Sequence, residues 1–450
     1  MNFKSKSNQK VFEGKVYREI NKRLKQKKRY HKDLDINKII ISDLYPNFLS
    51  RSTFSNLQIL NTIKETFLAV IWLFLFKFAI IIKQSSKSNI WMLLSPSHRQ
   101  SHFSELNVSN LSEKASLVTW KTTPIHFAIF ERFLRILKFI YYLYFSELNF
   151  IALNVRVKIC VNILKAIDLY DDFVNQVQPK AVFSAKDFQR FENAIIQAAN
   201  INKIPTFTSP HSVHHFFTGK NERNGNIIFT NSTAKNILCW GKFNDFLFKK
   251  YNPTANIYNS KAIFRPSIDK KLYNNKKKEE LVVVLGGIRH LSESEKLLTL
   301  LKEVENLFYG KLIHFRPHPS SDKKEVLKLI FKFKFKFHFV IDETKKSHKY
   351  IYSKGTIFIT GLSGTYYDAL YLGYKVIFFD FNYSVKKKLP RVMTGFKNST
   401  GFINQIKKCE KINRSIWKKK ANVILLNTLG LKMLEKRKKS IYTEIIDIIS

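Results

Sequence analysis

A regular alternation of short apolar segments with helix-length segments constrains this chain more than any other feature. The apolar segments are rich in β-branched and aromatic side chains, which is typical of strands in a buried sheet. From residue 90 onward they lie at Ile90–Leu94, Leu117–Trp120, Ala181–Ser184, Thr206–Thr208 and Ile237–Trp240. Strands separated in this way form βαβ units, so the pattern predicts a parallel sheet covered by helices.

A second series of strands follows a linker-like stretch at 251–278 that contains Pro253 and Pro266. Its members are Leu281–Leu285, Lys311–Phe315, Thr356–Thr360 and Lys375–Phe379. A chain of 450 residues is long enough for two such cores. We therefore predict an α/β protein with one Rossmann-like domain at 86–260 and another at 275–395. Residues 1–85 are expected to form a basic helical extension and residues 396–450 a set of C-terminal helices.

The formal net charge of +43 is spread along the whole chain. Clustered Lys and Arg bind phosphates electrostatically, so an anionic membrane surface is one expected partner. A codon bias towards Lys, Asn, Ile and Phe explains the charge equally simply. The aromatic residues fall in apolar runs instead of alternating with Arg on one face, so nucleic acid is not an expected partner. The three cysteines form no CxxC motif, and we expect neither a zinc site nor disulfides.

Two apolar stretches in the N-terminal third bear on membrane association. Residues 67–82 are nearly all apolar but shorter than the ~20 residues of a spanning helix, and Lys77 interrupts them. An interfacial helix, a buried core helix and a true span are the three alternatives. Residues 124–145 mix large apolar side chains with Arg132, Arg135 and Lys138, which is typical of a membrane-surface helix. Packing beneath snorkelling basic side chains is the other interpretation.

Loops that follow strands are the candidate sites, because ligands of open parallel sheets bind at the carboxyl ends of strands. In Arg316-Pro317-His318-Pro319 two prolines fix the backbone around a cation and an imidazole, as a phosphate site requires. Ser363-Gly364-Thr365 offers hydroxyls and amides at a helix start, and Gly286-Gly287 ends an earlier strand. A rigid turn and an ordinary helix cap are the alternatives for the first two loops.

The candidate bases lie in the first half. His211 belongs to a loop after the strand Thr206–Thr208, and imidazole titrates near neutrality. Asp187 and Glu192 follow the strand Ala181–Ser184 and are alternative bases, although exposed carboxylates at a helix start also have an ordinary role there. His214 and His215 lie nearby, but no carboxylate or cysteine accompanies them, so no metal is predicted.

These loops carry a resemblance to known enzymes. The strand followed by Arg316-Pro317-His318-Pro319, with a later strand and Ser363-Gly364-Thr365, resembles bacterial surface-polysaccharide transferases of the GT-B fold. That group includes sialyltransferases and polysialyltransferases with an HP motif, Kdo-type transferases and CDP-glycerol glycerophosphotransferases. The resemblance implies that His318, Ser363 and Thr365 hold the donor phosphate, that a first-half residue is the base, and that neither metal nor cofactor is needed. The chain lacks the acidic dipeptide-Gly motif of the sialyltransferases, which leaves the donor sugar open.

The predicted function is transfer of a sugar from a nucleotide-activated donor, CMP-linked by the resemblance, to a glycan or lipid-linked glycan. The product is a cell-surface polysaccharide such as capsule, O-antigen or lipooligosaccharide, and a single displacement inverts the anomeric centre. Polyol-phosphate transfer into teichoic-acid-like polymers and a non-catalytic assembly factor are the alternatives. The expected location is the cytoplasm, peripherally on the inner face of the cell membrane.

Overall fold

The computed structural model describes the chain in segments. They are residues 34–36, 38–40, 58–85, 89–93, 114–125, 129–145, 153–176, 178–185, 187–209, 227–259, 281–286, 291–318, 323–342, 357–360, 365–379, 398–433, 435 and 441–450.

The strands of these segments form two sheets. The first contains β1 (Phe76–Gln84), β2 (Ile90–Leu93), β3 (Ser116–Pro124), β4 (Ala181–Ser184), β5 (Thr206–Thr208), β6 (Asn236–Cys239) and β7 (Asn256–Asn259). The second contains β8 (Leu281–Val284), β9 (Leu312–Arg316), β10 (His338–Ile341), β11 (Ile357–Thr360) and β12 (Lys375–Phe378).

Both sheets are doubly wound. The first has the order β1-β3-β2-β4-β5-β6-β7, in which every neighbouring pair is parallel except β1 and β3. The second has the order β10-β9-β8-β11-β12 and is parallel throughout. The order reverses between β2 and β4 in the first sheet and between β8 and β11 in the second. Such reversals are where open α/β sheets form a ligand crevice.

The helices of the first half are α1 (Gln58–Leu75), α2 (Ile129–Phe145), α3 (Leu153–Val174), α4 (Arg190–Ile201), α5 (Ile227–Thr230) and α6 (Lys242–Tyr251). Those that follow are α7 (Leu291–Glu303), α8 (Lys323–Lys332), α9 (Thr365–Tyr371), α10 (Ser399–Lys411), α11 (Arg414–Thr428) and α12 (Ile441–Ile449), with a 3-10 turn at Glu305–Phe308 between α7 and β9.

The two sheets lie in separate hydrophobic cores, and each half buries a side chain in the core of the other. Trp240, which directly follows β6, is buried in the core of the second half. Gly241, the next residue, lies so close to the end of α11 that a Cβ atom there would be 2.8 Å from the Thr428 carbonyl. In the opposite direction, Ile445 of α12 is buried against β2, β4 and β5 of the first sheet. The second half therefore adjoins the carboxyl end of β6.

The prediction of two Rossmann-like α/β units is confirmed by these sheets. All nine predicted strands are present, with ends that differ by a few residues at most except at β3, which extends four residues further, to Pro124. The sequence analysis missed β1, β7 and β10. β7 lies in the stretch that we interpreted as a linker, and its half-exposed side chains give it no buried apolar pattern.

The extension at 1–85 differs from the expected helical unit. Its apolar stretch at 67–82 divides: residues up to Leu75 end α1, and Phe76 begins the edge strand β1, which pairs with β3. The β-branched run Ile80-Ile81-Ile82 explains the change, because such residues favour a strand and apolar character alone does not distinguish the two structures. Within the described segments, no helix is both long and apolar enough to cross a bilayer.

The C-terminal helices also divide between the halves. α10 and α11 bury Phe402, Ile406 and Trp417 in the second core. α12 instead returns to the first sheet through Ile445, which the amphipathic sequence of this region did not indicate.

Candidate functional site

The predicted donor residues follow three adjacent strands of the second sheet. The register pairs Val284 of β8 with Arg316 of β9 and with Thr360 of β11, so the three strands end at the same level. Neighbouring strands are about 4.8 Å apart, which places the Cα atoms of Arg316 and Thr360 roughly 10 Å from each other. Gly286 and Thr365 follow two of these ends. The residues thus lie around the point where the strand order reverses.

Local hydrogen bonds fix the backbone at these strand ends. The Leu285 amide donates to the Arg316 carbonyl over 2.9 Å, which extends the pairing of β8 and β9 by one residue. The amide of Gly286 donates to the Ser294 hydroxyl in α7, also over 2.9 Å. The pairing of β8 with β9 and the contact with α7 therefore fix the backbone at Leu285 and Gly286.

The residues of the Arg-Pro-His motif differ in exposure. Arg316 is the last residue of β9 and only 4% exposed, whereas His318, two residues later, is exposed. Thr365 begins α9 and is buried at 8% exposure. A buried guanidinium beneath an exposed imidazole suits a ligand that is anionic at one end and reaches solvent at the other.

A buried His–Asp pair beside this motif was missed by the sequence analysis. The His314 Nδ1 atom lies 3.6 Å from the Asp342 Oδ1 atom, and both residues are 4% exposed. His314 is two residues before Arg316, so both side chains project from the same face of β9. Asp342 follows β10, a strand whose alternating exposed residues gave no signal of a buried strand. The pair links the ends of β9 and β10 next to Arg316.

Asp187 lies at the reversal point of the first sheet, but it is not exposed. Its side chain is 2% exposed and accepts bonds from the Thr208 hydroxyl (3.0 Å), the Ser232 hydroxyl (2.5 Å) and the amides of Thr233 (2.8 Å) and Ala234 (3.0 Å). Burial raises the pKa of this carboxyl, and the hydrogen bonds oppose that rise. The carboxylate joins the end of β5 to the segment before β6.

The N-terminal extension contributes to the same cluster, which the sequence analysis did not foresee. The Lys38 amino group donates to the Ser232 carbonyl over 3.3 Å, and the Asn231 side-chain amide donates to the Lys38 carbonyl over 3.0 Å. Burial lowers the pKa of Lys38, while the charges of Asp35 and Asp187 oppose that shift. Residues far upstream of the first sheet therefore complete the polar cluster around Asp187.

Several predicted site residues lie outside the described segments. They are His211, Gly287, Pro319, Ser363 and Gly364. Of the predicted residues that are described, the structure brings Gly286, Arg316, His318 and Thr365 to one end of the second sheet, and it places Asp187 in the first half. Among the described residues, no group of three or more His, Cys, Asp or Glu side chains is arranged to hold a metal ion.

Comparisons with known proteins add little to this geometry. No family model matches the sequence, and no curated protein matches it. Among solved structures, UDP-GlcNAc 2-epimerase from Neisseria meningitidis bound to UDP-GlcNAc superposes with a TM-score of 0.49 and 12% identity, covering 81% of this chain and 99% of that one.

Two further structures are similar at the same level. A putative UDP-N-acetylglucosamine 2-epimerase from Listeria monocytogenes has a TM-score of 0.47 and 10% identity, covering 81% of this chain and 95% of that one. MurG from Acinetobacter baumannii has a TM-score of 0.38 and 11% identity, covering 80% and 98%.

Proposed function

We propose that this protein is a GT-B glycosyltransferase that transfers a sugar from a nucleotide-activated, CMP-linked donor to a glycan acceptor in the synthesis of a cell-surface polysaccharide. The observation that supports the proposal best is that Val284, Arg316 and Thr360 end three neighbouring strands at one level, with Gly286 and Thr365 following two of these ends and His318 exposed after the third. Cationic and hydroxyl groups at that position suit a phosphate. Ser363, Gly364, Gly287 and Pro319 complete the proposed donor loops.

The proposed reaction is a single displacement. The base removes a proton from an acceptor hydroxyl. The oxygen of that hydroxyl attacks the anomeric carbon while the bond from this carbon to the phosphate oxygen breaks. CMP leaves with the bonding electrons, and Arg316 and His318 stabilise its phosphate by charge and hydrogen bonding. Attack opposite the leaving group inverts the anomeric centre. The positive charge comes from the chain, so the proposed mechanism includes no metal.

We assign the base to His211 and a positioning role to Asp187. The Asp187 carboxylate is buried and accepts four hydrogen bonds, one of them from Thr208, three residues before His211. A carboxylate so engaged holds the end of β5, from which the His211 loop begins. In His211→Ala the acid limb of the pH–rate profile is expected to disappear. In Asp187→Asn the acid limb is expected to persist, with a reduced kcat. If the acid limb instead disappears in Asp187→Asn and persists in His211→Ala, Asp187 is the base.

The proposed activity is tested by transfer of radiolabel from CMP-, CDP- and UDP-activated donors to the polysaccharide. His318→Ala is expected to lower the transfer rate by about 10²-fold or more, because it removes a stabilising donor at the leaving group. His338→Ala, an exposed histidine on β10 of the same half, is the matched control and should retain the rate. Equal rates in the two variants contradict the proposal and favour a non-catalytic assembly factor. Transfer from CDP-glycerol alone favours polyol-phosphate transfer.

We also propose that the enzyme works peripherally on the inner face of the cell membrane, where lipid-linked acceptors are accessible. The net charge of +43 favours an anionic surface. The membrane fraction is washed with high salt and then with detergent. Release of stable protein by high salt supports surface attachment, whereas release by detergent alone supports deep insertion.

A further inference from the structure

Two neighbouring helices of the first half direct large apolar side chains towards solvent. Phe67 of α1 is 64% exposed and Phe130 of α2 is 74% exposed. The full set, which we call the α1–α2 face, consists of Ile63, Phe67, Leu68, Ile71, Phe74 and Leu75 on α1 and of Phe130, Phe133, Leu134, Leu137, Ile140 and Tyr141 on α2. This amount of exposed apolar surface is far more than the scattered single residues of ordinary protein surfaces.

The exposed residues recur at helical spacing. On α1, Ile63, Phe67, Ile71 and Leu75 follow one another at intervals of four, so they form a single stripe. Phe130, Leu134, Leu137 and Tyr141 do the same on α2 at intervals of four, three and four. Each helix therefore has an outer surface that is apolar along its length.

The inner surface of α2 buries a charge among apolar side chains. Phe139, Tyr142 and Leu143 are buried there together with Arg135. Arg135 is 6% exposed and forms a buried ion pair with Asp168 of α3, and it also donates to the Phe76 carbonyl over 2.9 Å. The helix thus buries a basic side chain while Phe130 and Phe133 stay exposed.

The two helices of this face adjoin each other. The guanidinium carbon of Arg132 lies 5.5 Å from the centre of the Phe74 ring, which places the start of α2 against the end of α1. Because Phe74 belongs to the α1–α2 face, this contact brings exposed apolar side chains of α1 next to α2. The exposed residues of the two helices therefore lie on neighbouring elements.

Basic side chains accompany this surface. Lys64 of α1 and Lys138 of α2 are exposed on the same helices, and Lys83 of β1 and Lys121 of β3 are exposed on the adjoining strands. Glu131 is the exposed acidic residue described on α2. Lys and Arg side chains are attracted to the charge of an anionic leaflet, while apolar side chains of an interfacial helix enter the headgroup boundary. This combination is complementary to anionic phospholipid.

We infer that the α1–α2 face docks onto the surface of an anionic phospholipid bilayer. A second copy of the chain fits less well, since a two-fold contact through the same face would bring Lys64 and Lys138 towards their own equivalents. The inference deepens the proposed membrane location and in that respect rests on the proposed function. Vesicle binding, however, needs neither donor nor acceptor, so its failure is distinguishable from failure of sugar transfer.

The docking is tested by co-sedimentation of the full-length protein with vesicles of phosphatidylglycerol and phosphatidylcholine. Phe67→Ser/Phe133→Ser removes one aromatic ring of the α1–α2 face from each helix, and we expect about a tenfold or greater loss of vesicle affinity. The matched control is Phe246→Ser/Phe331→Ser, because these rings are 56% and 58% exposed but lie on α6 and α8. It should bind as the wild type does, and both variants should keep the wild-type melting temperature.

The electrostatic part is tested by Lys64→Glu/Lys138→Glu with the same vesicles. Binding to vesicles that contain phosphatidylglycerol should fall about tenfold or more, and binding to pure phosphatidylcholine should not change. Equal vesicle binding by the two phenylalanine double variants overturns the inference. The inference is also overturned if the wild-type protein does not bind vesicles but forms a dimer, and Phe67→Ser/Phe133→Ser dissociates that dimer. The α1–α2 face then binds a second copy of the chain.

Discussion

The two halves share a doubly wound plan but differ at the edge of the sheet. In the first half the nine-residue strand β1 is added antiparallel to β3, and α3 covers its free side: Asp168 and Asp172 accept from the amides of Phe78 and Ile80 over 3.0 and 2.7 Å. In the second half the edges are the four-residue parallel strands β10 and β12. An exposed strand edge invites pairing with other chains, so a long added strand needs such partners.

The difference extends to where charges lie. In the first half Arg135 and Asp168 are paired inside the protein beneath an apolar surface, and burial raises the pKa of Asp168 to about 7. In the second half Lys311 and Glu410 are paired over 2.7 Å with about 30% exposure each. The same fold thus holds a solvated ion pair in one half and a buried ion pair beneath an apolar surface in the other. The buried pair lies among the elements added around β1.

The largest expected effect comes from breaking the buried pair. Arg135→Ala should lower the free energy of unfolding by about 3–5 kcal/mol, because it leaves Asp168 buried without its partner. The matched change in the second half is Lys311→Ala, which should cost about 1 kcal/mol or less because its ion pair is solvated. Chemical denaturation of both variants measures the contrast. Similar losses would show that the two pairs are energetically equivalent.

The next effect tests which half of the protein α12 stabilises. Ile445→Ala should cost about 2–4 kcal/mol, since the side chain is fully buried against β2, β4 and β5. Hydrogen exchange should then accelerate in the first sheet and leave the second unchanged, although α12 follows the helices of the second half. Ile445→Val, the milder control, should cost about 1 kcal/mol. Faster exchange confined to the second sheet would contradict the assignment.

The smallest effect concerns the contact between the halves. Gly241→Ala should cost about 1–3 kcal/mol, because the new Cβ would lie 2.8 Å from backbone atoms of Thr428 and force the end of α11 away. Gly310→Ala is a control of a different kind: it has open space but a φ of +75°, and should cost about 1 kcal/mol through backbone strain alone. Urea denaturation compares the two. If Gly241→Ala lowers the free energy of unfolding no more than Gly310→Ala does, the end of α11 can shift at little energetic cost.

Much of the fold was predictable because buried parallel strands have a strong local signature. Val282, Val283 and Ile359 belong to short apolar runs followed by polar turns, and such runs predicted β8 and β11 within a residue. β10 was missed because His338 and Val340 are exposed while Phe339 and Ile341 are half-buried, which leaves no continuous apolar run. β1 was missed for the opposite reason: its apolar residues directly follow those of α1, so the two elements form one apolar stretch.

The candidate site was predictable only in its loops. Arg316 and His318 were identified by their position after a strand and by the flanking prolines. Nothing local indicated that Lys38 would reach the Ser232 carbonyl, 194 residues away along the chain, or that Asp187 would be buried. His314 and Asp342 became neighbours only through the pairing of β9 with β10. Partners that are distant in sequence depend on strand order, which periodicity does not specify.

The sequence by itself determined the two α/β series, the strand-end loops and the abundance of basic and apolar side chains. Those properties depend on residue type and spacing within a few turns of chain. Only the tertiary structure decided that Arg135 turns inward to Asp168 while Phe130 and Phe133 of the same helix remain outside. Which side of a helix is buried depends on the elements that pack against it. For α2 the contacts with α1, α3 and β1 decide this, and the sequence of α2 alone does not.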